Sequence, residues 1–244
     1  MSETVRIAMW SGPRNISTAM MRAFENRDDC IVSDEPFYAH YLNETGLDHP
    51  GREEVIASQP VDWKAVLAHI TGPPPQPARF WYQKHMTQHM LPHIDLSWFG
   101  GMRHAFLIRD PLAVVGSYAK KRPNVTPEDI GLARQSELFD QVVEQIGAPP
   151  PVLDAEQVLQ DPETALRLLC DALEVPFAQS MLSWPAGRRA SDGIWAKYWY
   201  ARVEGTTGFA PYQPIAVDLP AQLQAVADTC RPLYDRLYAY RLGA

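Results

Sequence analysis

A mainly parallel α/β sheet with helices on its faces is the fold class this sequence predicts, on two observations. Short apolar runs rich in strand-forming residues alternate with helical patterns, and several of those runs empty into turns carrying charged side chains. Strands are predicted at residues 5–10, 30–33, 79–84, 104–108 and 151–154. Ligands of such sheets gather at the C-terminal ends of the strands. Arg14, Glu35, Lys84, His85 and Arg109 all end or follow predicted strands, so they are expected at one rim.

The first strand runs into Gly12, Pro13, Arg14, Asn15, Ile16, Ser17 and Thr18 before a helix begins. A turn between a strand and a helix N-terminus points unpaired backbone N–H groups one way, and the helix dipole adds positive potential there. Arg14 supplies a full charge, and Ser17 and Thr18 supply hydroxyl donors. This is the composition of an anion cradle, although the GxxxxGK[ST] pattern of the Walker A loop is missing. Residues 38–78 are polar, hold one expected helix near 61–70 and end in GPPPQP, which reads as an insertion closed by a stiff loop.

Residues 103–121 repeat the first design. Arg109 ends a strand, Pro111 is a favoured first helical residue, and Ser117 falls within two turns of it, on a face it can share with Arg109. Residues 126–146 read as helical, APPP at 148–151 interrupts the chain, and residues 162–173 and 219–240 carry the spaced apolar positions of amphipathic helices. The stretch at 186–209 mixes cations, glycines and aromatics.

A length of 244 residues suits a single α/β domain with an insertion and a helical C-terminal portion, and 46% hydrophobic residues allow a sizeable core. The net charge of −7 argues against a broad basic face for nucleic acid or anionic membrane. An anionic ligand therefore needs local cations, for which Arg14, Lys84, Arg109, Arg188 and Arg189 are the candidates. Cys30, Cys170 and Cys230 are odd in number and far apart, suggesting reduced thiols rather than a disulfide framework or a CxxC metal site. The N-terminus lacks a basic region before an apolar core, and no apolar run approaches the roughly 20 residues of a membrane span. A cytoplasmic protein is expected. His85, His89 and His93 recur every four residues, but Pro92 intervenes and no HExxH glutamate accompanies them, so packed or solvated histidines are expected rather than a metal site.

Taken in order, these segments resemble a family, the sulfotransferases that use 3′-phosphoadenosine 5′-phosphosulfate (PAPS). SGPRNIST is similar to their 5′-phosphosulfate loop, and Arg109 followed eight residues later by Ser117 resembles their 3′-phosphate motif. DEPF at 34–37 and YQKHM at 82–86 resemble the segments holding the family's catalytic acidic residue or histidine. The likeness covers residues 5–121 best, continues in residues 152–173 and is loose in 186–209, where Arg188, Arg189 and the adenine-stacking candidates Trp195, Tyr198 and Trp199 are implied. One departure is Ile16, where the cytosolic members carry glycine. A β-branched residue resists positive φ, so the loop is expected to take another path or to be strained there.

The resemblance implies a P-loop NTPase-like sulfotransferase fold, PAPS as co-substrate, no metal and a small-molecule hydroxyl or amine as acceptor, with a homodimer left open. In-line sulfuryl transfer needs charge stabilisation at the leaving oxygen and a base for the acceptor. Arg14 and Lys84 are expected at the leaving phosphate oxygen, and Glu35 or His85 at the acceptor proton. Glu35 is favoured, because Lys84 and His85 are adjacent and neighbouring side chains on a strand point to opposite faces. A P-loop kinase and a nucleotide-binding protein without transfer activity are the alternatives.

Overall fold

The computed structural model describes residues 4–120, 124–214 and 218–243. Strands β1 (Val5–Ser11), β2 (Cys30–Asp34), β3 (Phe80–Met86), β4 (Arg103–Ile108) and β5 (Val152–Asp154) form one sheet in the order β2-β3-β1-β4-β5, with every neighbouring pair parallel. This is the fold class that the alternating sequence pattern predicts. Central β1 is covered on both faces. Ala8 and Trp10 enter one apolar layer, and Ile7 and Met9 enter the other, as a period of two requires.

The helices are α1 (Ser17–Glu25), α2 (Tyr38–Thr45), α3 (Arg52–Ser58), α4 (Trp63–Thr71), α5 (Pro111–Ala119), α6 (Pro127–Ile130), α7 (Leu132–Ile146), α8 (Ala155–Gln160), α9 (Pro162–Ala172), α10 (Ala196–Trp199), α11 (Ala201–Glu204) and α12 (Ala221–Tyr238). The segment read as an insertion with one helix holds three. The expected one is α4, whereas α2 and α3 span only eight and seven residues, too short for a periodic apolar stripe to stand out. The helix expected over 126–146 is broken into α6 and α7 by Gly131, whose φ of 75° is left-handed.

The chain leaves β1 towards β2 on one side and leaves β4 towards β5 on the other, so a crevice opens between the C-terminal ends of β1 and β4. Gln135 of α7 closes its floor. Its buried side-chain amide donates to the carbonyls of Trp10 and Leu107, 3.1 Å from each, one residue before the end of either strand.

Two imidazoles are packed into the core beside β1. Trp10 Nε1–H donates to His104 Nδ1 at 2.9 Å, which leaves Nε2–H of His104 to donate to the Phe99 carbonyl, also at 2.9 Å. His85 stacks on Trp10 with ring centroids 4.6 Å apart. Burial pushes His104 down to about 4, and burial with the neighbouring His104 pushes His85 down to about 3. Both are neutral when folded and free to charge when unfolded, near an ordinary pKa of about 6.5. Below that pH the unfolded chain binds more protons, so stability is flat above about pH 6.5 and falls as pH drops towards 4. The slope reaches about 1.4 kcal/mol per pH unit for each histidine. Urea unfolding between pH 7 and 4.5 should show this decline, and His104→Gln should flatten it.

Candidate functional site

The turn after β1 is wound by Arg14 rather than by a glycine. Arg14 has φ 55°, while Ile16 has φ −94° and sits in an ordinary conformation as the residue before α1. Of the two expectations for Ile16, the loop takes another path and is not strained there, the left-handed position lying two residues earlier. Three hydrogen bonds hold the turn. Arg109 Nη1 donates to the Arg14 carbonyl at 2.6 Å, Arg14 Nε donates to Ser117 Oγ at 3.1 Å, and Asn15 Nδ2 donates to the Leu107 carbonyl at 3.0 Å. These bonds over-determine a conformation that costs a non-glycine residue about 1–3 kcal/mol. Ile16 offers no side-chain acceptor to cap α1, and the helix has no acidic residue in its first turn, so its first N–H groups are not neutralised from within.

Arg14, Asn15, Ile16, Ser17, Thr18, Arg109 and Ser117 line one cavity of about 470 Å³, which also reaches Glu35 and Lys84. Arg202 of α11, which sequence reasoning passed over in favour of Arg188 and Arg189, lines it too. Burial and the repulsion of Arg202 hold Arg14 below the ordinary arginine value despite a favourable Tyr118. Arg109 is lowered by burial and then by Arg202 and Arg14. Neither Arg14 nor Arg109 has a carboxylate ion-pair partner among the described residues. Three mutually repelling guanidinium groups around one cavity give it a strongly positive potential.

The other end of the cavity is built on β2 and β3. Lys84 is buried and donates to Asp34 Oδ1 at 2.8 Å, to Glu35 Oε1 at 2.6 Å and to the Tyr200 hydroxyl. Tyr200 bonds the Asp34 carboxylate at 2.8 Å, and the Gly193 N–H donates to Asp34 Oδ2 at 3.0 Å. Burial alone would depress Lys84, but Asp34 and Glu35 outweigh it and hold the ammonium well above its usual range. Burial raises Glu35, the attraction of Lys84 opposes it, and Asp34 adds to the rise. Glu35 is also left-handed, with φ 45°. Its N–H donates to the Lys84 carbonyl at 2.9 Å, and its own carbonyl accepts from the Tyr38 N–H at 3.0 Å and from Gln59 Nε2 at 3.2 Å.

Several expected site residues lie elsewhere. Alternation along β3 turns His85 away from Lys84 into the core, where its Nε2–H donates to Gln83 Oε1 at 3.2 Å, so it does not reach the cavity. The ammonium of Lys84 has all three N–H groups committed to Asp34, Glu35 and Tyr200, rather than standing open to a leaving oxygen. Trp195 is 2% exposed, packs edge-on against Tyr38 and donates to the Tyr200 hydroxyl at 3.2 Å, so no face is open for a base to stack on. Arg188 is exposed outside the cavity wall. Arg189 is drawn into a turn whose Asp192 pairs with buried Arg22 at 2.6 Å and accepts from the Arg189 N–H at 2.8 Å. Gly12 lies beneath the loop, where a Cβ would stand 2.7 Å from the Ile130 carbonyl oxygen. Its place is set by this close approach. Of the three spaced histidines, only His89 lines the cavity, and no group of three metal-ligating side chains occurs among the described residues.

The fold is a parallel α/β sheet with a cationic loop at its switch point and a second arginine at the next strand end. The sequence profile of the sulfotransferase domain matches residues 5–239, and the chain belongs to that family. Solved sulfotransferases share the fold. The domain from the curacin biosynthetic pathway is 15% identical with a TM-score of 0.51, over 99% of this chain and 100% of that one. The enzyme from Alicyclobacillus acidocaldarius is 12% identical with a TM-score of 0.55, over 98% and 96%. A mouse sulfotransferase complexed with PAP is 11% identical with a TM-score of 0.52, over 98% and 90%. Two Arabidopsis thaliana proteins named branched-chain-amino-acid aminotransferase-like proteins 2 and 1 are 37% and 35% identical, over 95% and 98% of this chain. The chain spans only 41% and 43% of their lengths, so their name describes proteins more than twice as long. No helix among the described residues is long and apolar enough to cross a membrane.

Replacing Lys84 tests the carboxylate pair. Lys84→Met leaves Asp34 and Glu35 buried without their cation, which should cost about 3–5 kcal/mol at pH 7. The two carboxyls would then be protonated above their ordinary range, so the deficit should shrink as pH falls towards 5. Denaturant titrations at both pH values read this directly.

Proposed function

We propose that this protein transfers the sulfuryl group of PAPS to the hydroxyl or amine of a small-molecule acceptor. The observation that carries the reading is the polarity of one cavity. Among the described residues Arg14, Arg109 and Arg202 line it without an ion-paired carboxylate, and a buried carboxylate with a raised pKa lines it as well. PAPS carries charge at two separate phosphate positions, which suits two arginine-bearing strand ends. The α1 N-terminus with Ser17 and Thr18 takes the 5′-phosphosulfate, and Arg109 with Ser117 takes the 3′-phosphate. Arg14 reaches both, because its backbone lies in the loop and its guanidinium touches Ser117. PAP, found in the mouse sulfotransferase of similar fold, is the product that PAPS leaves after transfer.

In this reading the acceptor oxygen attacks sulfur and a new O–S bond forms. The bond from sulfur to the bridging phosphate oxygen breaks, and its electron pair leaves on PAP. Glu35 takes the acceptor proton, for which burial has raised its affinity. Lys84 fixes Oε1 of Glu35 and leaves Oε2 for that proton.

Arg109→Ala should weaken PAP binding by about 1.5–3 kcal/mol, the worth of a charge-assisted contact. Binding of the analogue lacking the 3′-phosphate should change far less. Equal losses in calorimetric titrations of the two ligands would remove the assignment. With an acceptor identified by screening against labelled PAPS, Glu35→Gln should lower kcat by about 10²-fold or more with PAP affinity little changed.

A further inference from the structure

Glu35 holds its left-handed backbone against its own sequence. The next residue is Pro36, and a residue before proline is driven to extended backbone, with φ about −120°, whereas Glu35 has φ 45°. A non-glycine residue keeps such a conformation only where its surroundings over-determine it. The backbone bonds from the Glu35 N–H to the Lys84 carbonyl and from the Tyr38 N–H to the Glu35 carbonyl contribute, at 2.9 and 3.0 Å. The side chain that joins them is Gln59, half-buried just past α3. Its Nε2–H donates to the Glu35 carbonyl at 3.2 Å, and its Oε1 accepts from the Ala39 N–H at 3.1 Å. A carbonyl only accepts and an N–H only donates, so the carboxamide fits one way round. Ala39 lies in the first turn of α2, and the residue before that helix, Phe37, offers no side-chain cap. Gln59 is aimed by its own neighbour. Pro60 drives it to extended backbone, φ −140° and ψ 160°, which ends α3. Val55 of α3 joins Ala39 and Leu42 of α2 in one buried cluster, so the two helices hold Gln59 over the turn.

We propose that Gln59 is a positioning residue for the base: its carboxamide locks the backbone of Glu35 in the conformation that presents the carboxylate to Lys84 and to the cavity. The catalytic part of this rests on the sulfotransferase reading. Gln59 does not line the cavity, so its effect runs through Glu35. Without it the Glu35 carbonyl loses one of its donors, and Pro36 draws the residue back to negative φ. The carboxylate then swings off the Lys84 ammonium that it meets at 2.6 Å. The inserted segment thus sets the geometry of proton transfer through one side chain.

Two variants separate this role from capping of α2. Gln59→Met is close in size and removes both bonds. Gln59→Glu keeps an oxygen for the Ala39 N–H and puts an acceptor against the Glu35 carbonyl, so it breaks only the bond to Glu35. Crystal structures read the Glu35 backbone directly, beside calorimetric PAP affinity and PAP release from PAPS with water and with phenol as acceptors. In both variants Glu35 should turn to negative φ and leave Lys84, with turnover down about tenfold or more and PAP affinity within about twofold of wild type. In a Glu35→Gln background, Gln59→Met should cost no more than about a further twofold, because a residue acting through Glu35 has nothing left to act on. Glu35 unmoved on Lys84 in both variants, or a full loss in the Glu35→Gln background, overturns the proposal. So does a Gln59→Glu protein that matches wild type while Gln59→Met falls, since that outcome assigns Gln59 to capping α2 alone. None of these results touches the sulfotransferase reading. A wild type that neither binds PAP nor releases it from PAPS removes that reading and with it the catalytic role, while the crystal structures still decide whether Gln59 sets Glu35.

Discussion

One buried ammonium organises this protein. Lys84 sits on β3 next to edge strand β2, where the sheet alone would place two carboxylates, Asp34 and Glu35, side by side in an apolar setting. Without the lysine one of them would stay protonated and the turn after β2 would lose its anchor. With it, Glu35 is fixed in a left-handed conformation at the cavity wall. Tyr200 joins the same cluster and brings the 193–200 segment onto the sheet. A single charge therefore ties together three parts of the chain that are far apart in sequence.

The two ends of the cavity use charge in opposite ways. Around Lys84 every charge has a partner, so the field there is short-ranged and the groups are rigid. Around Arg14 and Arg109 the cations repel one another, and among the described residues the fold supplies backbone and hydroxyl contacts but no ion-paired carboxylate, Asp154 and Asp110 acting on Arg109 only from a distance. That repulsion is relieved by a bound polyanion. The cavity is thus electrostatically strained at one end and relaxed at the other.

Much of this was legible because strand ends are marked in sequence. An apolar run followed by Arg14, Glu35 or Arg109 shows both where the sheet edge lies and which side chain stands on it. Parity along β3 likewise separated Lys84 from His85. What sequence could not show depends on distant contacts. Arg202 reads no differently from Arg188 or Arg189 until the Arg22–Asp192 pair fixes the 189–192 turn away from the cavity. Trp195 looks like a stacking residue, and only its burial beside Tyr38 and Tyr200 shows that it is closed off. Ile16 raised concern as a misplaced β-branched residue because the position of the left-handed turn cannot be read from composition. Gln59 reads as an ordinary polar residue of the insertion, because its bonds to Glu35 and Ala39 exist only once α2 and α3 pack together.

Gln135 has a mechanical consequence. One amide nitrogen reaches the carbonyls of Trp10 and Leu107, next to the ends of β1 and β4, so the spacing between the two strands is gauged by a rigid trigonal group rather than by soft apolar contact. The loops after these strands are coupled like the jaws of a caliper locked at one setting. Any adjustment in the cavity must then come from rotation of the arginine side chains and not from splaying of the sheet, and the distance between the loops after β1 and β4 is a property of the scaffold.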